Sequence, residues 1–230
     1  MSGLDQSPLH DQNTAISFRD GVPVSTRYDA PYYSLQDGAA ESAHVFLAGN
    51  DLPGRFRDGF HIGELGFGTG LNLLVALAAW NAAGLPGRFR FTSFEAFPLP
   101  GAQTAEALAA QPVARADAAA LIDALASGAT RFALGPADVS LILGDARGTL
   151  PVWDGNADAW FLDGFAPARN PELWQPDLMA GIARHTAPQG SFATYSAAGA
   201  VRRSLSEAGF SVTRRPGFGR KRHMTSGRLP

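Results

Sequence analysis

A glycine-rich turn that follows an acidic residue is the sharpest chemical signal in this sequence. Residues 64–70 read Glu-Leu-Gly-Phe-Gly-Thr-Gly and stand between an apolar run and a helical pattern. Glycines allow a tight turn and let a ligand approach the backbone, while helix N-terminal amides face its polar groups. A dinucleotide fingerprint would require glycine where Leu71 stands, and the sequence has no phosphate-binding Gly-Lys-Ser/Thr loop. The alternative is a structural turn that binds nothing.

Two more acidic residues end the apolar runs that follow. Glu95 is placed to accept both ribose hydroxyls of an adenosyl group, and Asp145 to accept from an adenine amine. Taken alone, the same residues are also ordinary as a helix-terminal charge and a turn aspartate. Carboxyl ends of parallel strands meet at one edge of a sheet, so we expect these groups to converge there. The expected cofactor contacts are Glu64, Gly66, Phe67, Gly68, Thr69, Gly70, Glu95, Asp145 and Ala146.

The loop after the fourth predicted strand begins with Asp163 and is the candidate transfer site. If the transferred group is a methyl and the acceptor an amine, the amine must be neutral and close to the methyl carbon. Asp163 can orient that amine and take up its proton, directly or through water. Phe165 can stack on a base, and Pro167 and Pro171 would stiffen the loop. The alternative role for Asp163 is that it only caps the loop.

Short apolar runs alternate with helical patterns and predict an α/β fold with a mainly parallel, doubly wound sheet. Residues 16–35 predict a small N-terminal β extension, followed by a helix over Ala39–Gly49. Two final strands around Pro216-Gly217 predict an antiparallel edge hairpin, an ending typical of methyltransferases. We expect residues 1–13 to be disordered and 14–230 to form one domain, with an extension at 14–58 and a Rossmann-like core at 59–230.

The core strands are predicted at Gly59–Leu65, Arg90–Glu95, Val139–Leu143, Ala157–Leu162, Ser191–Tyr195, Phe210–Arg214 and Lys221–Ser226. The core helices are predicted at Gly70–Ala82, Ala102–Leu108, Ala116–Ala126, Gln175–Arg184 and Ala198–Glu207.

Composition excludes several classes of protein. The 230 residues hold no cysteine, which rules out disulfides and cysteine-based metal sites and fits a reducing cytoplasm. The five histidines are scattered, so we expect no metal, and the sequence has neither a signal peptide nor a long apolar span. Residues 202–230 hold eight of the 19 basic residues and one acid, Glu207. Such asymmetry suggests a polyanionic partner, although a solvated hairpin would look the same.

Six segments together resemble a known family. They are Tyr32–Ser34, Val45–Asn50, Gly63–Asn72, Ser93–Leu99, Asp158–Pro171 and Gly217–Arg222. These segments resemble the methyltransferase domain of the MnmC family of tRNA 5-methylaminomethyl-2-thiouridine biosynthesis proteins. The resemblance extends from about residue 16 to 227, and the stretch Phe161–Pro171 is its most specific part.

The resemblance implies a class I S-adenosylmethionine methyltransferase that methylates the 5-aminomethyl group of a wobble uridine in tRNA, giving 5-methylaminomethyl-2-thiouridine. It places the transfer at Asp163 and substrate contacts at Phe165, Pro167, Arg220, Lys221 and Arg222, the last three on phosphates near the anticodon. Members of the family continue into an FAD-dependent oxidoreductase domain that this sequence lacks. We therefore expect either that a separate oxidoreductase acts on the same nucleoside or that the amine arises by another route. We expect no membrane or metal partner.

Three other functions stay open at this stage. A class I methyltransferase could act on another amine, and the basic segment is what favours RNA. A non-catalytic RNA-binding module could keep the same fold without binding the cofactor. A nicotinamide-dependent reductase is opposed by Leu71 and by the terminal hairpin.

Overall fold

A computed structural model describes residues 16–19, 21–34, 37–109, 111 and 115–230. The segment 1–13, predicted to be disordered, lies outside the described residues. The strands are β1 (Ile16–Arg19), β2 (Val22–Ser25), β3 (Ala30–Pro31), β4 (His61–Leu65), β5 (Phe89–Glu95), β6 (Arg131–Leu134), β7 (Ala137–Leu143), β8 (Ala157–Leu162), β9 (Thr186–Thr194), β10 (Ser211–Pro216) and β11 (His223–Arg228). The α-helices are α1 (Gly38–Ser42), α2 (Leu71–Ala82), α3 (Gly101–Ala109), α4 (Arg115–Ala126), α5 (Ala146–Thr149), α6 (Pro176–Arg184) and α7 (Gly199–Glu207).

The main sheet has eight strands in the order β10-β11-β9-β8-β4-β5-β7-β6. Its central strands, from β9 to β7, run parallel, and the edge strands pair antiparallel. The predicted sheet and its C-terminal hairpin are confirmed. The carboxyl ends of β4, β5, β7 and β8 therefore lie along one edge, where open α/β sheets bind ligands.

Two hydrophobic layers cover the faces of this sheet. One layer contains α2, α4 and the helical segment after α1, while the other contains α5, α6 and α7. In β8, Phe161 faces the first layer, and Trp160 and Leu162 face the second. This alternation follows from the two-residue period of a strand and makes the sheet doubly wound. Among the described residues, no helix has both the length and the apolar character needed to cross a membrane.

The N-terminal region forms a separate sheet and an irregular helix. Strands β1, β2 and β3 form a three-stranded antiparallel sheet, as the sequence predicted. Helix α1 continues as a π-helical turn over Ala43–Leu47 and a 3₁₀ turn over Ala48–Asn50. Asn50 fixes the end of this segment to the main sheet, because its amide donates to the carbonyl of Trp160 (3.3 Å) and accepts from the Ser191 hydroxyl (2.6 Å).

The edges of the sheet differ from the prediction at two places. Strand β6 was not predicted, because only Leu134 of its four residues is buried and the apolar signal is weak. At the other edge, the tight turn predicted at Pro216-Gly217 is instead the loop 217–222, which the Gly217 amide closes by donating to the Arg222 carbonyl (3.1 Å). The longer loop projects its residues towards the carboxyl edge of the sheet.

Candidate functional site

The turn after β4 is held between the ends of its two neighbouring strands. Gly66, Gly68 and Gly70 have φ values of 88°, 54° and 78°, a region that favours glycine. The Gly66 amide donates to the Phe94 carbonyl at the end of β5 (2.9 Å), and the Asp163 amide donates to the backbone at the end of β4 (3.1 Å). A Cβ atom at position 66 would overlap the Asp163 carbonyl oxygen. Glycine is therefore required at position 66 by backbone packing.

Glu95 closes this turn from the end of β5. Its Oε2 accepts from the Gly68 amide (3.0 Å) and its Oε1 from the Phe97 amide (2.7 Å). Burial raises the pKa of Glu95 above its ordinary value, and these backbone hydrogen bonds oppose the rise. Each carboxylate oxygen keeps further acceptor capacity, so hydroxyls of a ligand can bind here as well.

Asp145 lies at the start of α5, next to the end of β7. It caps the helix by accepting from the Arg147 amide (2.9 Å), and its Oδ2 accepts from the Arg147 Nε (2.9 Å). The Arg147 guanidinium holds the pKa of Asp145 below its ordinary value. Asp145 is thus a helix-capping residue that also faces the cavity described below.

Asp163, at the end of β8, belongs to a buried hydrogen-bond network. The Asn72 side-chain amide donates to Asp163 Oδ2 (2.7 Å) and to Glu64 Oε1 (2.9 Å), and the Ser93 hydroxyl donates to Glu64 Oε2 (2.6 Å). Glu64 is fully buried, unlike the ligand contact that the sequence predicted. Strand β4 lies in the centre of the sheet and is covered on both faces. The Glu64 side chain therefore points beneath the carboxyl edge of the sheet rather than into the cavity.

The N-terminal sheet covers the loop that Asp163 begins. The Tyr28 ring stacks on Phe165 with centroids 4.6 Å apart, and the Tyr32 ring meets Phe165 edge-on at 5.1 Å. Arg169 forms an ion pair with Asp29 (3.1 Å). Phe165, predicted to stack on a substrate base, therefore already has two aromatic neighbours from the extension.

Lys221 lies on the other side of Asp163, at the end of the loop 217–222. Its ammonium group forms an ion pair with Glu41 (2.7 Å) and lies 4.0 Å from the centre of the Tyr195 ring. The Tyr195 hydroxyl donates to the Gly164 carbonyl (2.6 Å). The positive charge of Lys221 is thus held next to Asp163, whereas the sequence predicted a contact with phosphate.

These groups surround one cavity of about 1370 Å³. The predicted site residues that line the cavity are Gly66, Phe67, Gly68, Thr69, Glu95, Asp145, Ala146, Asp163, Phe165, Arg220 and Lys221. Glu64, Gly70, Pro167 and Arg222 lie outside its lining. Gly70 instead caps the start of α2. Most of the predicted site therefore converges on one space between the main sheet and the N-terminal sheet.

A family model described as S-adenosyl-L-methionine-dependent methyltransferase matches residues 113–230, just over half of the chain. The chain belongs to this methyltransferase family.

Relatives of this methyltransferase support the resemblance seen in its sequence. Over 216 residues it is 46% identical to the tRNA 5-methylaminomethyl-2-thiouridine biosynthesis bifunctional protein MnmC of Caulobacter sp. (strain K31), covering 88% of this chain and 36% of the relative. The MnmC protein of Stutzerimonas stutzeri (strain A1501) is 45% identical over 221 residues, which is 91% of this chain and 34% of the relative. The methyltransferase thus spans about a third of the length of these relatives.

A solved structure agrees with the fold. The crystal structure of MNMC2 from Aquifex aeolicus matches with a TM-score of 0.75 at 29% identity, covering 90% of this methyltransferase and 67% of that chain. The predicted Rossmann-like methyltransferase fold is confirmed.

The cavity of the methyltransferase fits S-adenosylmethionine, the cofactor of its family. The glycine turn leaves backbone without side chains along one wall, and Glu95 presents a carboxylate that can accept from ligand hydroxyls. Phe67, Phe94 and Ala146 give the cavity an apolar lining. The nearby carboxylates of Asp145 and Asp163 suit the positive charge of a sulfonium.

Five of the eight basic residues near the end of the chain form no ion pair with the described residues. Arg215 and Arg228 approach Asp51, and Lys221 binds Glu41. The remaining five are Arg202, Arg203, Arg214, Arg220 and Arg222. Partial desolvation and the charges of Arg214, Arg222 and Arg202 lower the pKa of His223, so all three lie within electrostatic range of its ring. Arg220, two residues before Arg222, lines the cavity, and these four residues are called the arginine patch.

Sequence reasoning missed several residues of this methyltransferase site. Asn72 carried a visible signal, since it is the polar residue in the otherwise apolar run 71–80. Tyr32 lay in a segment that resembles the family but was given no role. Glu41, Tyr28 and Tyr195 carried no signal, because they reach the cavity from segments far from the glycine turn in the sequence.

Proposed function

We propose that this methyltransferase transfers a methyl group from S-adenosylmethionine to the 5-aminomethyl group of a wobble uridine in tRNA. The substrate nucleoside would be 5-aminomethyl-2-thiouridine and the product 5-methylaminomethyl-2-thiouridine. The observation that carries the proposal is the position of Asp163, whose carboxylate lines the same cavity as the glycine turn. The nucleoside is suggested by the name of relatives that are 45% to 46% identical.

Asp163 has the chemistry that such a transfer needs from the protein. When bound, the cofactor supplies a methyl group on a positively charged sulfur, whose bond to carbon breaks as the substrate nitrogen bonds to the methyl. The nitrogen then has one proton to lose, and Asp163 accepts it directly or through water. Burial raises the pKa of Asp163 to about 7, and a base with such a pKa can hold and release a proton near neutral pH.

The remaining walls of the cavity would hold the cofactor. In this proposal Glu95 accepts from the ribose hydroxyls and Asp145 from the adenine amine, as the sequence suggested. Residues 66–69 approach the amino-acid part of the cofactor through their backbone. Glu64 supports the site from beneath rather than by contact.

The arginine patch would bind the phosphate backbone near the target nucleotide. Arg220 joins this patch to the cavity, so a nucleotide extruded from its stack would enter on that side. Phosphate contacts position an RNA without reading its sequence. We further propose that the enzyme acts in the cytoplasm and that an FAD-dependent oxidoreductase, a separate protein or another domain, supplies the free amine.

Labelled S-adenosylmethionine and tRNA that carries 5-aminomethyl-2-thiouridine test the proposal. After incubation with the enzyme, mass spectrometry of digested nucleosides should detect labelled 5-methylaminomethyl-2-thiouridine. The control is tRNA without the aminomethyl group, which should gain no label. Label found only on a small-molecule or protein amine would reject the tRNA assignment and favour the alternative class I N-methyltransferase.

The arginine patch makes a second prediction, for RNA affinity. The double variant Arg214→Ala/Arg222→Ala should bind tRNA about 10- to 100-fold more weakly, and its log-log salt slope should fall by about two, because two phosphate contacts are lost. The matched control, Arg90→Ala/Arg131→Ala, removes two exposed arginines from β5 and β6, away from the loop 217–222. Equal losses of tRNA affinity in the two double variants, or an affinity that does not depend on salt concentration, would contradict an RNA site at the patch.

A further inference from the structure

The network beneath Asp163 contains two carboxyl groups that share one side-chain amide. Asn72 Nδ2 lies 2.9 Å from Glu64 Oε1 and 2.7 Å from Asp163 Oδ2. The opposite end of the amide, Asn72 Oδ1, accepts from the Ser42 hydroxyl (2.5 Å). Because an ionised Asp163 only accepts, the nitrogen of the amide must face the two acids and its oxygen must face Ser42. The orientation of Asn72 is therefore fixed by its neighbours.

Glu64 and Asp163 differ in what surrounds them. Glu64 is fully buried, and its hydrogen-bond partners are the neutral side chains of Ser93 and Asn72. The nearby acids Asp163 and Glu95 also disfavour its charged form. Asp163 lines the cavity and lies near the ammonium group of Lys221, which favours its charged form. Two carboxylates held by one amide, one fully buried and one half-buried, cannot both be charged without a large cost, so the proton belongs on the fully buried Glu64. The 2.6 Å contact with Ser93 can then run in either direction, since a hydroxyl both donates and accepts.

We propose that Asn72 and a protonated Glu64 are positioning residues that hold the Asp163 carboxylate towards the cavity and leave it as the charged member of the pair. Asn72 is the rigid link in this arrangement. Ser42 bonds its side-chain oxygen, and Ser93 bonds the second oxygen of Glu64. The inference rests on the proposed role of Asp163 in the transfer.

Titration trends agree with this assignment. Burial raises the pKa of Glu64 from 4.5 to about 8, while the bonds from Ser93 and Asn72 oppose the rise. Burial also raises the pKa of Asp163, to about 7, where the bond from Asn72 and the charge of Lys221 oppose the rise and Glu41 adds to it. Tyr195 faces the same carboxylate and stays neutral, because burial raises its pKa.

The test combines a titration without cofactor and a pH profile with it. Carbon NMR of the side-chain carboxyls in the cofactor-free protein should show Asp163 ionising at lower pH than Glu64. In Glu64→Gln, which mimics the protonated acid, Asp163 should titrate as in the wild type, since the amide group of glutamine can make the same hydrogen bonds. In Asn72→Leu, the Asp163 midpoint should rise by about one pH unit, because the hydrogen bond that favours its charged form is lost.

The kinetic consequence separates positioning from mere stability. In Asn72→Leu the acid limb of the kcat profile should move to higher pH with the NMR midpoint, while affinity for S-adenosylmethionine is retained. Ionisation of Glu64 before Asp163 in the wild type, or an unmoved midpoint in Asn72→Leu, would overturn the inference. The wild-type titration needs neither a variant nor a tRNA substrate, so it decides the matter even if a variant fails to fold or the proposed substrate is wrong.

Discussion

Replacing Asp163 with asparagine should reduce methyl transfer by about 100- to 10,000-fold, the usual contribution of a general base. Asparagine keeps the size of the side chain and an oxygen that can accept from Asn72, so the 2.7 Å hydrogen bond can still form in the variant. It cannot take up the proton of the amine. Turnover by labelled methyl transfer and cofactor affinity by calorimetry should therefore separate, with the first lost and the second kept. Wild-type turnover would remove Asp163 from the mechanism.

The same substitution should raise the stability of the protein at alkaline pH. The pKa of Asp163 rises from its ordinary value of 3.8 to about 7 on folding because the group is buried. Between these values the folded protein holds a proton that the unfolded chain has released, so the free energy of unfolding falls as pH rises. Near pH 8 the free energy of unfolding has fallen by on the order of 4 kcal/mol at most. The Asp163→Asn variant has no carboxyl group at this position and should not show this fall.

Urea unfolding at about pH 4 and about pH 8 measures this difference, which should appear only at the higher pH. Asp138→Asn is the control with the opposite sign. Arg88 lowers the pKa of Asp138, so its charged form adds stability that is present above the ordinary aspartate pKa and is lost in acid. The asparagine variant at 138 should therefore be the less stable protein at alkaline pH. A loss of stability in Asp163→Asn at that pH would show that the carboxylate is not held under strain.

The sequence predicted the strand-end residues of the site better than the residues packed beneath them. Alternating apolar runs and helices were enough to place Glu95, Asp145 and Asp163 at one edge, because parallel strands share an orientation. Glu64 was predicted as a ligand contact but lies outside the lining of the cavity, because the side chain at a strand end can point towards the edge of the sheet or beneath it. There it accepts a hydrogen bond from Asn72, in the first turn of α2.

The basic residues near the end of the chain also show what the sequence could not predict. Eight basic residues were visible as a group, but the sequence could not say which of them have partners within the fold. Lys221 binds Glu41, which lies far away along the chain, and Arg228 binds Asp51 (2.9 Å). Pairing of this kind follows from the way the N-terminal helical segment packs against β9 and β11. The loop 217–222 thus contributes both a wall of the cavity and part of an exposed basic patch.

Among glycine-to-alanine substitutions in the site, Gly66→Ala should reduce the stability of the protein most. Both Gly66 and Gly84 have positive φ, 88° and 62°, so alanine at either position bears a left-handed backbone penalty of about 1–2 kcal/mol. A Cβ at Gly84 has no heavy atom within 4 Å, whereas a Cβ at Gly66 would overlap the carbonyl oxygen of Asp163. The difference between the two variants therefore isolates the clash from the backbone strain.

Relieving that clash requires the turn after β4 to move away from the end of β8. The movement would stretch the hydrogen bond from the Asp163 amide to the end of β4 (3.1 Å) and displace the turn that Glu95 holds through the Gly68 amide. We expect Gly66→Ala to lose S-adenosylmethionine binding in calorimetry and to unfold at lower urea than Gly84→Ala, which should bind normally. Equal stability and affinity in the two alanine variants would mean that the turn can yield, and that glycine at 66 serves the ligand rather than the joint between the strands.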